Sequence, residues 1–219
     1  MDIVEVIRLA CYVVNIIASF TLAGYFLREY MSKKLRASFA WGLGFTLLGF
    51  VIVTQVFLFA VQVSRSLIMI GIIFASIVIA LLYYGTSLLF FSEGSFFREK
   101  MTAIYFFLML LVGEVVSYIA PEERIIEYSR GSTAFIYTFV YFLIGILFYR
   151  VSRRIPKEDL RRRTISLVSV AWFIIGIWMI YQGLYWGEYP MIEAGVFLFG
   201  SLGFLLLLYG MTTGKTARK

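Results

Sequence analysis

Histidine is absent from the 219-residue chain, and cysteine occurs once, as Cys11. Those two gaps remove His-ligated metal centres, Ser–His–Asp catalysis, Cys–His pairs and any intramolecular disulfide. Side-chain amides are scarce as well, at Asn15, Gln55, Gln62 and Gln182. Scarcity of Cys, Asn and Gln fits a thermophilic source or a membrane protein, and eight methionines weigh against the first. Charged residues make up only 15% of the chain, against about a quarter in a soluble domain. The three prolines, Pro121, Pro156 and Pro190, all fall between apolar runs rather than inside them.

Apolar surface is what the chain has in excess. Hydrophobic residues are 61% and aromatics 19%, with a mean hydropathy of +0.88. Runs of about 20 apolar residues read as membrane helices. Seven such spans are expected, at 3–27, 37–63, 67–91, 101–119, 132–150, 164–186 and 191–210. The predicted fold is therefore an all-α integral membrane protein, a seven-transmembrane-helix bundle forming a single heptahelical domain over 1–219. The N-terminal run lacks a basic start and is too long for a cleaved leader, so it is expected to remain as the first helix.

The net charge of +7 is mainly a signal of topology. Connections after the odd-numbered spans carry Arg28, Lys33, Lys34 and Arg36, then Arg98 and Lys100, then Arg150, Arg153, Arg154, Lys157 and Arg161 to Arg163, with Lys215, Arg218 and Lys219 in the tail, while those after the even-numbered spans hold only Arg65, Arg124 and Arg130. Basic residues favour the cytoplasmic side, which places the N-terminus outside and the C-terminus inside a plasma membrane. Expected partners are anionic lipid at the cytoplasmic face and a cytoplasmic protein along Arg150–Arg163. No nucleic acid is expected, and the sequence leaves the oligomeric state open.

An internal repeat is visible. "GFTLLGFVIVTQ" (44–55) aligns with "AWFIIGIWMIYQ" (171–182), matching Gly49 with Gly176 and Gln55 with Gln182. "LLYYGT" likewise aligns with "LLLYGM", matching Gly85 with Gly210. This 3+1+3 parallel repeat resembles the architecture of sugar-transporting seven-helix proteins, as parallel repeats occur in transporter folds. The chain lacks the Pro–Gln pairs of those families. Seven helices in this orientation are also similar to microbial rhodopsins, but "MIEAGVFLFGSLGFLLLLYG" has no lysine for a retinal Schiff base. No cofactor or metal is expected.

Polar residues within the spans are the candidates for function. Glu5, Arg8, Tyr12, Asn15 and Ser19 advance by three and four along one helical face. Glu114, Ser117 and Tyr118 share a face of the fourth span, and Glu193 opens the seventh. At 1.5 Å per residue, Arg8 and Glu114 both lie roughly 8 Å below the outer end. An intramembrane carboxylate needs a partner or water, so Arg8 is expected to neutralise Glu114. Gln55 and Gln182 are expected to bond between helices, Gly195, Gly200 and Gly203 to permit close packing, and Tyr181, Tyr185, Trp186 and Tyr189 to form an interfacial belt. "GMTTGKT" is one residue too short between its glycines for a phosphate loop.

Arg8, Asn15, Gln55, Glu114, Gln182 and Glu193 thus form the expected polar network. Their outer-half position points to a small-molecule ligand in an outward-facing crevice of a receptor or sensor module, not an enzyme. A small-solute transporter or channel and an accessory membrane subunit are the alternatives.

Overall fold

The computed structural model describes residues 3–58, 64–184 and 190–213. Seven helices follow in order: α1 Ile3–Lys33, α2 Arg36–Leu58, α3 Arg65–Phe90, α4 Glu99–Ile119, α5 Ile125–Arg154, α6 Leu160–Leu184 and α7 Pro190–Thr213. A 3₁₀ turn, Glu122–Arg124, precedes α5. The described residues contain no strand, and the seven helices are long and apolar enough to cross a bilayer, as in a multi-pass membrane protein. Gln62, Tyr185, Trp186, Tyr189 and the tail from Gly214 lie outside the described residues.

Helix ends extend beyond the apolar runs because polar flanks can satisfy terminal backbone groups. α1 continues through "REYMSK", where Lys33 pairs with Glu29 at 3.0 Å, and ends at Lys34 with φ 55°. Gly94, φ +77°, makes the turn between α3 and α4, a backbone region glycine enters without steric cost. At the start of α6, the Arg161 backbone N–H donates to Asp159 Oδ1 at 2.8 Å, the usual N-cap bond. At the other end of α4, Arg65 Nη1 donates to Ser117 O at 2.8 Å and Nη2 to Ala120 O at 2.9 Å. It also donates to Tyr118 O. One guanidinium thus collects three carbonyls that the helix leaves without intrahelical partners.

Each helix packs against the next, α7 returns to α1, and α3 also meets α5. Glycines set the closest approaches. A Cβ at Gly44 would lie 3.0 Å from Leu82, and one at Gly85 would run into Trp41, so α2 and α3 are tight near the junction of α3 with α4. Trp41 Nε1 donates to Leu82 O there at 3.1 Å. α5 and α6 are tight along their length, through Gly131 against Gly183 O, Thr138 Oγ1 donating to Gly176 O, and Ser169 Oγ donating to Gly145 O.

The end of the bundle away from the start of α1 is filled with rings. Trp41 meets Phe26 at 4.9 Å and Phe148 at 5.8 Å, while Tyr141 meets Trp172 at 5.3 Å. Around the periphery, Ile17, Phe57, Phe107, Leu111, Phe135 and Leu198 are exposed, an apolar belt of the kind lipid covers. Gly200 and Gly203 do serve close packing, against Trp178 and Ile174, but a Cβ at Gly195 would meet nothing within 4 Å.

Candidate functional site

Polar side chains converge at the end of the bundle that holds the start of α1. The α1 stripe turns inward from its second turn: Tyr12, Asn15 and Ser19 are buried, Arg8 is half-buried and Glu5 is exposed. Arg8 Nη2 meets Glu193 Oε1 of α7 at 3.0 Å, with side-chain exposures of 18% and 2%. The expected partnership of Arg8 with Glu114 is therefore replaced by Arg8 with Glu193. The reason is the ring order, in which α1 packs on α7 and α2 while α4 lies between α3 and α5.

Glu114 stands apart from that pair. One carboxylate oxygen is buried without a hydrogen-bond partner among the described residues. Its expected face-mates diverge, since Ser117 is buried and shares a hydrogen bond with Ser129 at 2.7 Å, whereas Tyr118 is exposed. Asn15 is 0% exposed, and neither amide atom has a partner among the described residues.

The residue that organises the site is Arg130. Sequence reading places it in a connection, because "APEERIIEYSRG" is polar and the apolar run begins at 132. In the structure the chain turns once at Pro121, and α5 starts seven residues sooner, at Ile125. Acidic residues at Glu122, Glu123 and Glu127 favour a helix N-terminus there. Arg130 then falls on a helical face with Thr133, Ala134, Tyr137 and Tyr141. This i, i+3/i+4 spacing was the available signal. Arg130 Nη2 donates to Gln55 Oε1, linking α5 to α2 and giving Gln55 its expected interhelical bond.

Arg130, Gln55 and Gln182 line a cavity of about 590 Å³. Tyr12, Thr54, Ser129, Thr133 and Trp178 contribute to the same wall, and the rest of the lining is aliphatic, aromatic, methionine or glycine. Tyr12 lies within electrostatic range of Arg130, Arg8 and Glu193, so the ion pair and the cavity belong to one region. Glu114 and Asn15 do not line it. Gln182 departs from expectation, since its Nε2 has no partner among the described residues.

The cavity ends against Tyr141, Ile175 and Phe204, beyond which lies the ring-packed end. Comparison adds no relative. No protein-family model, curated protein or solved structure matches the chain. The volume falls within the usual range for small-ligand sites, about 300–1,000 Å³, and the mixture of apolar wall and few polar groups is typical of them. Among the described residues no group of His, Cys, Asp and Glu could hold a metal ion.

Proposed function

We propose that the chain is a non-enzymatic receptor- or sensor-like module of the plasma membrane, with its N-terminus outside and its C-terminus inside. It binds a small ligand in the cavity at the outer end of the bundle. The observation that carries this reading is the convergence of Arg130, Gln55 and Gln182 on one largely apolar cavity. A binding signal passes to the basic connections at the opposite end, where Arg150–Arg163 meets anionic lipid and a cytoplasmic partner.

The ring-packed inner half supports sensing over passage, because Trp41, Phe148, Tyr141 and Trp172 occupy the route a solute would take. One observation favours transport as the second reading. Gly49 of α2 faces the ring of Phe20 from α1, and Gly176 of α6 faces the ring of Phe142 from α5. Aligned positions thus receive equivalent partners, as a duplicated three-helix unit would give, and such repeats are a transporter feature.

The test is thermal unfolding of the protein in a neutral maltoside, against a panel of soluble anions, amines, sugars and amphiphiles. A bound ligand raises the apparent Tm by mass action. A compound that stabilises wild type but not Arg130→Gln supports the site, and Glu114→Gln is expected to respond like wild type. If no compound in the panel acts, the binding reading fails. Uptake of the active compound into proteoliposomes would decide for transport.

A further inference from the structure

The rim of the cavity is uneven. Its exposed lining residues are Phe50 and Thr54 of α2 and Leu67, Ile70 and Phe74 of α3. Lining residues from α1, α4, α5, α6 and α7 are buried or half-buried. Glycine contacts account for the asymmetry. α2 and α3 are drawn together at Gly44, one turn from the lining residue Leu47, and at Gly85, beyond the last α3 lining residue Ala75, whereas Gly131 against Gly183 O closes α5 on α6 at the polar end. The cavity therefore opens sideways between α2 and α3, through an apolar edge on the surface that lipid covers. A soluble polar ligand has no use for such an entrance, but a membrane-dissolved one does.

The polar wall specifies the other end of the ligand. Trp178 is 6% exposed and Gln182 9%, and both line the cavity. Their Nε1 and Nε2 atoms are buried donors without a partner among the described residues. They lie four residues apart on one face of α6. Arg130 adds a guanidinium, and the charged groups within range of Tyr12 are two arginines against one glutamate. Donors in excess and a net positive charge call for an anionic acceptor, since buried donors are costly unless bonded. From Arg130 to Tyr141 the α5 wall is about 16 Å long, and below Thr133 it is made by Ala134 and the rings of Tyr137 and Tyr141.

We propose that the ligand is an anionic amphiphile, a single hydrocarbon chain ending in a carboxylate or phosphate, which enters from the bilayer between α2 and α3. Its head sits against Arg130, Gln182 and Trp178, and its chain lies along the apolar wall. This deepens the binding function proposed above and rests on it.

Trp178 provides the readout. A brominated fatty acid is titrated into the protein in neutral maltoside, and quenching of tryptophan fluorescence is followed beside the matching brominated alcohol. Saturable quenching by the acid is expected, and it should shrink in Trp178→Phe. The alcohol, and the acid with Arg130→Gln, should bind about tenfold to a hundredfold more weakly, as loss of a charged hydrogen bond implies. Gly71→Leu tests the entrance. A Cβ there meets nothing within 4 Å, so the variant should fold, and its side chain should abolish the saturable phase.

Equal quenching by acid and alcohol, or quenching untouched by Gly71→Leu in a variant with wild-type Tm, would overturn the proposal. Stabilisation by inorganic phosphate through Arg130, without quenching by the acid, would also overturn it while leaving the ligand site standing. Failure of every compound would remove both.

Discussion

Arg8 of α1 and Glu193 of α7 are joined at 3.0 Å, and this contact ties the first helix to the last with the carboxylate almost fully enclosed. Removing one member of such a pair leaves the other charge without its partner in a low-dielectric interior. Arg8→Ala or Glu193→Ala should each cost about 3–5 kcal/mol, while the double change Arg8→Met with Glu193→Leu should recover most of it. Unfolding in detergent measures all three. Single variants within about 0.5 kcal/mol of wild type would show that the pair contributes little.

Asn15 should behave in the opposite way. Its enclosed amide has no partner among the described residues, and an unsatisfied buried amide costs about 1–3 kcal/mol. Asn15→Leu keeps the volume and removes the polar atoms, so the Tm should rise. A fall would mean that the amide makes interactions worth more than its desolvation.

Arg65 closes the C-terminal end of α4 from the start of α3. Arg65→Ala frees the carbonyls of Ser117 and Ala120 and should destabilise by about 1–2 kcal/mol. Hydrogen exchange should localise the change to the last turn of α4 and the facing turn of α3. Uniform protection across both helices would count against this role.

Asp159 gives a pH dependence with a defined sign. The Arg161 side chain, and then its backbone N–H, hold the Asp159 carboxyl below its ordinary value. Its contribution is therefore complete above the unfolded pKa, about 3.9, and is lost as pH falls through the lower folded value. Amides in the first turn of α6 should keep their relative protection from neutral pH to about 5 and lose it only below about 4. Asp159→Ala should remove that acid-dependent step.

The positions of the seven helices were readable because apolar runs long enough for a bilayer have few alternatives, and the 3, 4, 3, 4 spacing on α1 turned Tyr12, Asn15 and Ser19 inward, though not Glu5 at its start. The polar site was readable only in part. Gln55 was selected for its cost in an apolar span, and the structure gives it the interhelical bond that cost demands. Arg130 was missed because a polar first turn of a helix and a polar loop have the same composition. The partner of Arg8 was misassigned because two carboxylates at similar depth, Glu114 and Glu193, are equivalent until the helices are placed in a ring.

Sequence alone thus determined seven apolar helices, an interior face on α1 and an expensive set of polar residues, all of which depend on local period and on burial cost. Tertiary structure decided which of those residues meet, because partnership depends on helix order and crossing. The closure of α7 on α1 joins Arg8 to Glu193, and the bond from α5 to α2 joins Arg130 to Gln55. The cavity was decided there too, because Phe50 of α2 and Leu67, Ile70 and Phe74 of α3 come to line it together with Arg130 of α5 only once those helices pack side by side.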